Sequence, residues 1–88
     1  MQPNSGTPEY SEIVKVKVDQ AGSIYLNGNS VSIEEVKHEF KRLKTVNGAV
    51  WYYRDNPQGE PHPKAVEVIK AVVDEKLPVR LMERDFDT

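Results

Sequence analysis

Few side chains here are of the kinds that do covalent chemistry, and their spacing directs most of them to other roles. The sequence has two histidines. His38 follows Glu34 by four residues and precedes Arg42 by four. It sits off the apolar stripe Val36, Phe40 and Leu43, as a solvated helix residue would. His62 stands between Pro61 and Pro63, near Asp55 and Glu60. A histidine with acidic neighbours could hold a metal, but one histidine among loop carboxylates makes a poor site. Capping or anchoring the helix that follows is the favoured role. Glu34 and Glu35 look like a carboxylate pair for acid–base work. As consecutive helical residues they diverge, and capping accounts for them. Asp74 and Glu75 diverge in the same way. No serine lies in a nucleophile-elbow pattern, and no glycine-rich phosphate motif occurs. The sequence therefore predicts no catalytic residue, no metal and no cofactor, and reads as a binding module rather than an enzyme.

Composition narrows the classes further. At 88 residues the chain is one domain. Its net charge of −2 exerts no general pull on nucleic acid or anionic membrane, though a local basic face is compatible with it. The absence of cysteine excludes disulfides and thiolate metal sites. No apolar run approaches the roughly 20 residues of a membrane helix, and no basic-then-apolar leader is visible. The chain reads as a free-standing soluble protein or as the soluble part of something longer.

The elements follow from periodicity. Residues 1–12 are rich in proline, glycine and small polar residues and read as a flexible leader. Residues 13–84 form the domain, and residues 85–88 a frayed tail. Val14, Val16 and Val18 alternate with Lys15 and Lys17, the period of a strand. Asp19 to Gly22 turns the chain, and Ser23 to Asn27 returns it. Asn27-Gly28 then bends it again. Ser32 and Glu35 have the spacing of a capping box, with Val31 and Val36 placed as a hydrophobic staple. The helix they open runs to Asn47-Gly48. Ala49 to Tyr53 is a bulky interior strand, and Asp55 to Pro63 is a proline-rich loop. A second helix starts at Pro63 and stops before Pro78. Val79 to Glu83 is the last strand. The expectation is an α+β fold of order ββαβαβ, a four-stranded sheet with both helices packed on one face.

The other sheet face would then lie open. Strand parity turns Val14, Val16, Val18, Ile24, Leu26, Val79 and Leu81 inward. Arg54 prefers water, which would bring Val50 and Tyr52 with it to the open face and turn Trp51 and Tyr53 inward. The expected face reads Lys15, Lys17, Tyr25, Tyr52, Arg54 and Arg80. Three readings stay open: a solvated face under long cationic side chains, a docking surface for a second copy, or a site for a polyanion or glycan. With His62 in its loop, these six residues are the candidate binding residues.

The run V-D-Q-A-G-S-I-Y-L-N-G-N-S-V-S-I-E-E-V resembles the C-terminal domain of the ExbD/TolR biopolymer-transport family. The residues carrying the likeness are Asp19, Gly22, Leu26, Asn27, Gly28, Ser32, Glu34 and Glu35. Tyr53-Arg54-Asp55, the helix A-V-E-V-I-K-A-V-V-D and the strand after L-P-V are similar to that family's second half. The likeness spans roughly residues 13–81. It implies a dimer-forming, non-catalytic domain that engages a protein partner or cell-wall peptidoglycan. It implies a periplasmic location if a membrane anchor belongs to the protein, and a cytoplasmic one otherwise. The competing reading is a free-standing cytoplasmic regulatory or ligand-binding domain, using the loop around His62 beside Trp51. Nucleic-acid binding through Lys15, Lys17, Tyr52 and Arg54 is a third class, disfavoured by the acidic balance.

Overall fold

The computed structural model describes residues 10–55 and 59–84. Most of the expected leader, part of the proline-rich loop and the expected tail lie outside the described residues. The elements are β1 (Glu12–Val18), β2 (Ile24–Leu26), β3 (Asn29–Val31), α1 (Ile33–Thr45), β4 (Gly48–Arg54), α2 (Pro63–Asp74) and β5 (Val79–Leu81). They build an α+β fold with one mixed sheet of order β3-β2-β1-β4-β5. β2 is antiparallel to β1 and β3, while β4 is parallel to β1 and β5. Every strand but β2 therefore runs the same way.

The sheet has five strands among the described residues, where the sequence suggests four. The added strand is β3, and the Asn27-Gly28 turn creates it. Asn27 has φ 50° and Gly28 φ 89°, the paired positive dihedrals of a tight hairpin turn matched to strand twist. The Asn27 side chain also accepts the Lys15 N–H at 2.9 Å, fixing the turn to β1. β1 begins at Glu12, a residue that composition places in the leader.

The first hairpin is closed by Asp19. Its Oδ1 accepts the N–H groups of Ala21 at 3.0 Å and Ser23 at 2.9 Å, mimicking a backbone turn. The capping box is realised in full. The Glu35 N–H donates to Ser32 Oγ at 3.2 Å, and the Ser32 N–H donates to Glu35 Oε1 at 2.8 Å. At the head of α2, Pro63 fills a position whose N–H would have no helical partner.

Both helices cover one face of the sheet. Ile33, Val36, Phe40 and Leu43 of α1 share a core with Ala65, Val68, Ala71 and Val72 of α2, and with Val14, Val16, Val18 and Ile24. Val50 and Tyr52 belong to the same core, at 0% and 6% exposure. The expected parity of β4 is thus reversed. Val50 pairs with Val14 and Tyr52 with Val16, so all four side chains point to the helices. Trp51 and Tyr53, paired with Lys15 and Lys17, take the open face instead. The misleading residue is Arg54. It follows the core-facing parity at the end of β4, where its Nη1 donates to the Gly59 carbonyl at 3.0 Å. A strand end lets a guanidinium reach out past the core while its stem stays on the buried side.

One surface ion cluster ties sheet to helix. Arg42 of α1 donates to both carboxylate oxygens of Glu12 on β1 and to both of Glu39 on its own helix. The hydrogen bond from Arg42 holds the Glu12 carboxyl below its usual range, and its partners push the Arg42 guanidinium upward. Glu39 lies three residues before Arg42, the spacing at which oppositely charged helix residues meet on the surface.

Candidate interaction surfaces

The open face carries Lys15, Lys17, Tyr25, Trp51, Tyr53 and Arg80. Lys17 and Tyr25 are register partners across β1 and β2, and Trp51 and Arg80 across β4 and β5. The Lys17 ammonium lies 6.0 Å from the Tyr53 ring centroid, and the Arg80 guanidinium 5.6 Å from that of Trp51. Both are within reach of cation–π attraction. Four of the candidate residues, Lys15, Lys17, Tyr25 and Arg80, are therefore brought together as expected. Tyr52 and Arg54 are not among them: Tyr52 is core and Arg54 closes the end of β4. Burial raises the Tyr52 phenol above its usual pKa, an effect the nearby Arg54 partly offsets.

Trp51 and Tyr53 were the residues that sequence parity missed. In the run Val50-Trp51-Tyr52-Tyr53 both parities are bulky and apolar, so alternation has no contrast to read. The register with β1 supplies it, because Lys15 and Lys17 must face water.

His62 lies at the N-cap of α2. Its Nδ1 accepts the Lys64 N–H at 3.1 Å, the capping role expected of it. The ring is clamped by Gly22, which has φ +91°; a Cβ built there would come 2.4 Å from the His62 ring. The turn after β1 and the head of α2 are thus packed together. A polar depression of about 250 Å³ lies here, at the carboxyl ends of the parallel strands β1 and β4. Asp19 and Arg54 on its wall are already held by the turn and by Gly59. Among the described residues no group of three histidine or acidic side chains is placed to hold a metal ion. Nor is any helix among them long and apolar enough to cross a membrane.

A second surface lies at the β5 edge. Large apolar side chains are exposed at Val66 (47%), Val73 (66%), Val79 (41%) and Leu81 (67%). The sequence turns Val79 and Leu81 inward. They do face the helix side, as partners of Val50 and Tyr52, yet stay partly open to water because β5 is the last strand of the sheet among the described residues. The place of the exposed valines on α2 follows from helical geometry. Glu75 approaches Lys44 of α1 at 4.0 Å, and Ala71 is buried on the same flank. At about 100° per residue, Val66 and Val73 fall on the flank of α2 away from α1, well round toward solvent. The Pro78 carbonyl and the Met82 N–H bond to β4, at 2.9 and 2.7 Å. Strand alternation then directs the N–H and C=O groups of Val79 and Leu81 outward along the edge. The opposite edge, β3, reads Asn29-Ser30-Val31 and is polar.

Compared with known proteins, the chain matches no family model and no curated protein.

Proposed function

We propose that this chain is a non-catalytic protein-interaction domain, similar to the periplasmic domain of the ExbD/TolR family, acting by pairing with a second copy and docking to a protein or cell-wall partner. The observation that carries the reading is the coincidence of an outward-facing strand edge at Val79 and Leu81 with the apolar flank of Val66 and Val73. Such an edge is left bare only at a risk of unwanted pairing, unless pairing is its use. Two copies related by a twofold axis would join β5 to β5 and lay α2 along α2. The rim suits that arrangement. Lys70 stands between Glu67 and Asp74 on the outer side of α2, so antiparallel copies bring each Lys70 opposite acidic residues of the other. The two interfaces are isologous and closed, as in most homodimers.

The sequence likeness over residues 13–81 supports assignment to that family's binding domain. On this reading the domain works in the periplasm when a membrane anchor belongs to the same protein. Sedimentation velocity over micromolar to near-millimolar concentrations tests it. A dimer that grows with concentration, and is lost in the Val73→Glu/Leu81→Lys variant, is the expected result. A monomer at every concentration would oppose it.

A further inference from the structure

The tie between the β1–β2 turn and the head of α2 depends on the charge state of one imidazole. His62 caps α2 through Nδ1, which accepts the Lys64 N–H at 3.1 Å. Only the neutral ring has an acceptor nitrogen; in the protonated ring both nitrogens donate. The same ring is packed against Gly22 of the turn, so closely that a Cβ there would stand 2.4 Å from it. The positive end of the helix dipole opposes a cation at this position. α2 has no acidic residue in its first turn to offset that opposition. The capping geometry therefore belongs to the neutral imidazole.

We propose that His62 is a proton-operated latch. Neutral, it holds the β1–β2 turn to the head of α2; protonated, it releases the Lys64 N–H and turns from Gly22 toward the carboxylates of the polar depression. The charged groups lining that depression with His62 are Asp19 of the turn, Arg54 and Asp55 at the end of β4, and Glu60 of the loop. Asp19 is committed to the turn, where Oδ1 accepts the Ala21 and Ser23 N–H groups and Oδ2 the Tyr25 hydroxyl at 3.4 Å. Arg54 donates to the Gly59 carbonyl. Lys64, next along α2, has its ammonium 3.5 Å from Glu67. Asp55 and Glu60 are the carboxylates to which an imidazolium would turn. The change is local, because Ala65 and Val68, which seat α2 on the core, are buried and apolar. It reshapes the depression at the carboxyl ends of β1 and β4 and leaves the sheet in place. The latch stands or falls apart from the interaction-domain reading, which concerns the β5 edge.

NMR of the isotope-labelled domain tests this from about pH 8 to about pH 5, the range in which histidine changes charge. The Lys64 and Gly22 amide signals should move together, along the titration curve of the His62 ring. The protection of the Lys64 amide against exchange should fall about fivefold or more, as loss of a cap implies. His38, on the solvated flank of α1, supplies an imidazole that caps nothing, and its titration should leave both amides unmoved. His62→Asn caps without titrating, so in that variant both amide responses should vanish while Lys64 stays protected. Lys64 protection that is unchanged while the His62 ring titrates would overturn the proposal, because the cap would then survive protonation. A Gly22 response that persists in His62→Asn would also overturn it, assigning the change to Asp19.

Discussion

Val16 and Tyr52 are direct register partners across the parallel β1–β4 ladder, and both are buried under the helices. That single pairing fixes which side of β4 is core. It sends Trp51 and Tyr53 to the open face, beside their register partners Arg80, Lys15 and Lys17.

Tyr52 should reveal its burial at alkaline pH. Its phenol titrates above the usual value of about 10. A group whose pKa is raised in the folded state contributes stability that is fully present below the unfolded value. That contribution is lost as pH rises through the folded value. Urea unfolding between neutral and strongly alkaline pH should show this loss, and Tyr52→Phe should remove that part of it. An identical alkaline slope in both proteins would contradict the assignment.

At acid pH the corresponding group is Glu12. Its pKa is lowered by Arg42, so its contribution is present above about 4.5 and lost as pH falls through the depressed folded value. Glu12→Gln should lower neutral stability slightly and flatten the acid limb of the stability curve by the same small amount, since the pair is exposed. A variant that unfolds in acid just as the wild type does would show that the cluster does not couple β1 to α1.

Phe40 is fully buried at the centre of α1. Phe40→Ala should cost about 3–5 kcal/mol in denaturant unfolding, enough to threaten the fold of a domain this small. A loss under about 1 kcal/mol would mean that α1 is not seated as described.

The clamp between Gly22 and His62 predicts a different kind of loss. Gly22→Ala places a Cβ against the imidazole and forces an L-residue into positive φ. The cost should be about 1–2 kcal/mol or more. Gly28 has φ +89° but open space around it, so Gly28→Ala isolates the backbone strain from the collision. Equal losses at the two sites would mean that His62 yields without cost.

Much of the fold is legible in the sequence because its signals are local. The valine–lysine alternation, the Ser32/Glu35 box and Pro63 each specify a structure within a few residues, and each is realised. β3 is not legible: Asn29-Ser30-Val31 is short, polar and without contrast. The side of β4 is not legible either, because four consecutive bulky residues hide the period and Arg54 misleads at the strand end. The bareness of Val79 and Leu81 is a property of strand order. An apolar alternation reads as buried until the topology makes its strand the last one. Of the candidate site residues, Lys15, Lys17, Tyr25 and Arg80 follow from strand parity alone. Trp51 and Tyr53 needed the register.

Amide hydrogen exchange at Val79 and Leu81, measured at low and high protein concentration, tests the central claim most directly. These N–H groups point outward at the β5 edge, so a lone domain leaves them to water. Pairing with a second copy should slow their exchange as concentration rises, while the N–H of Met82, already bonded to Tyr52, changes far less. Exchange at Val79 and Leu81 that stays fast and independent of concentration would contradict the account.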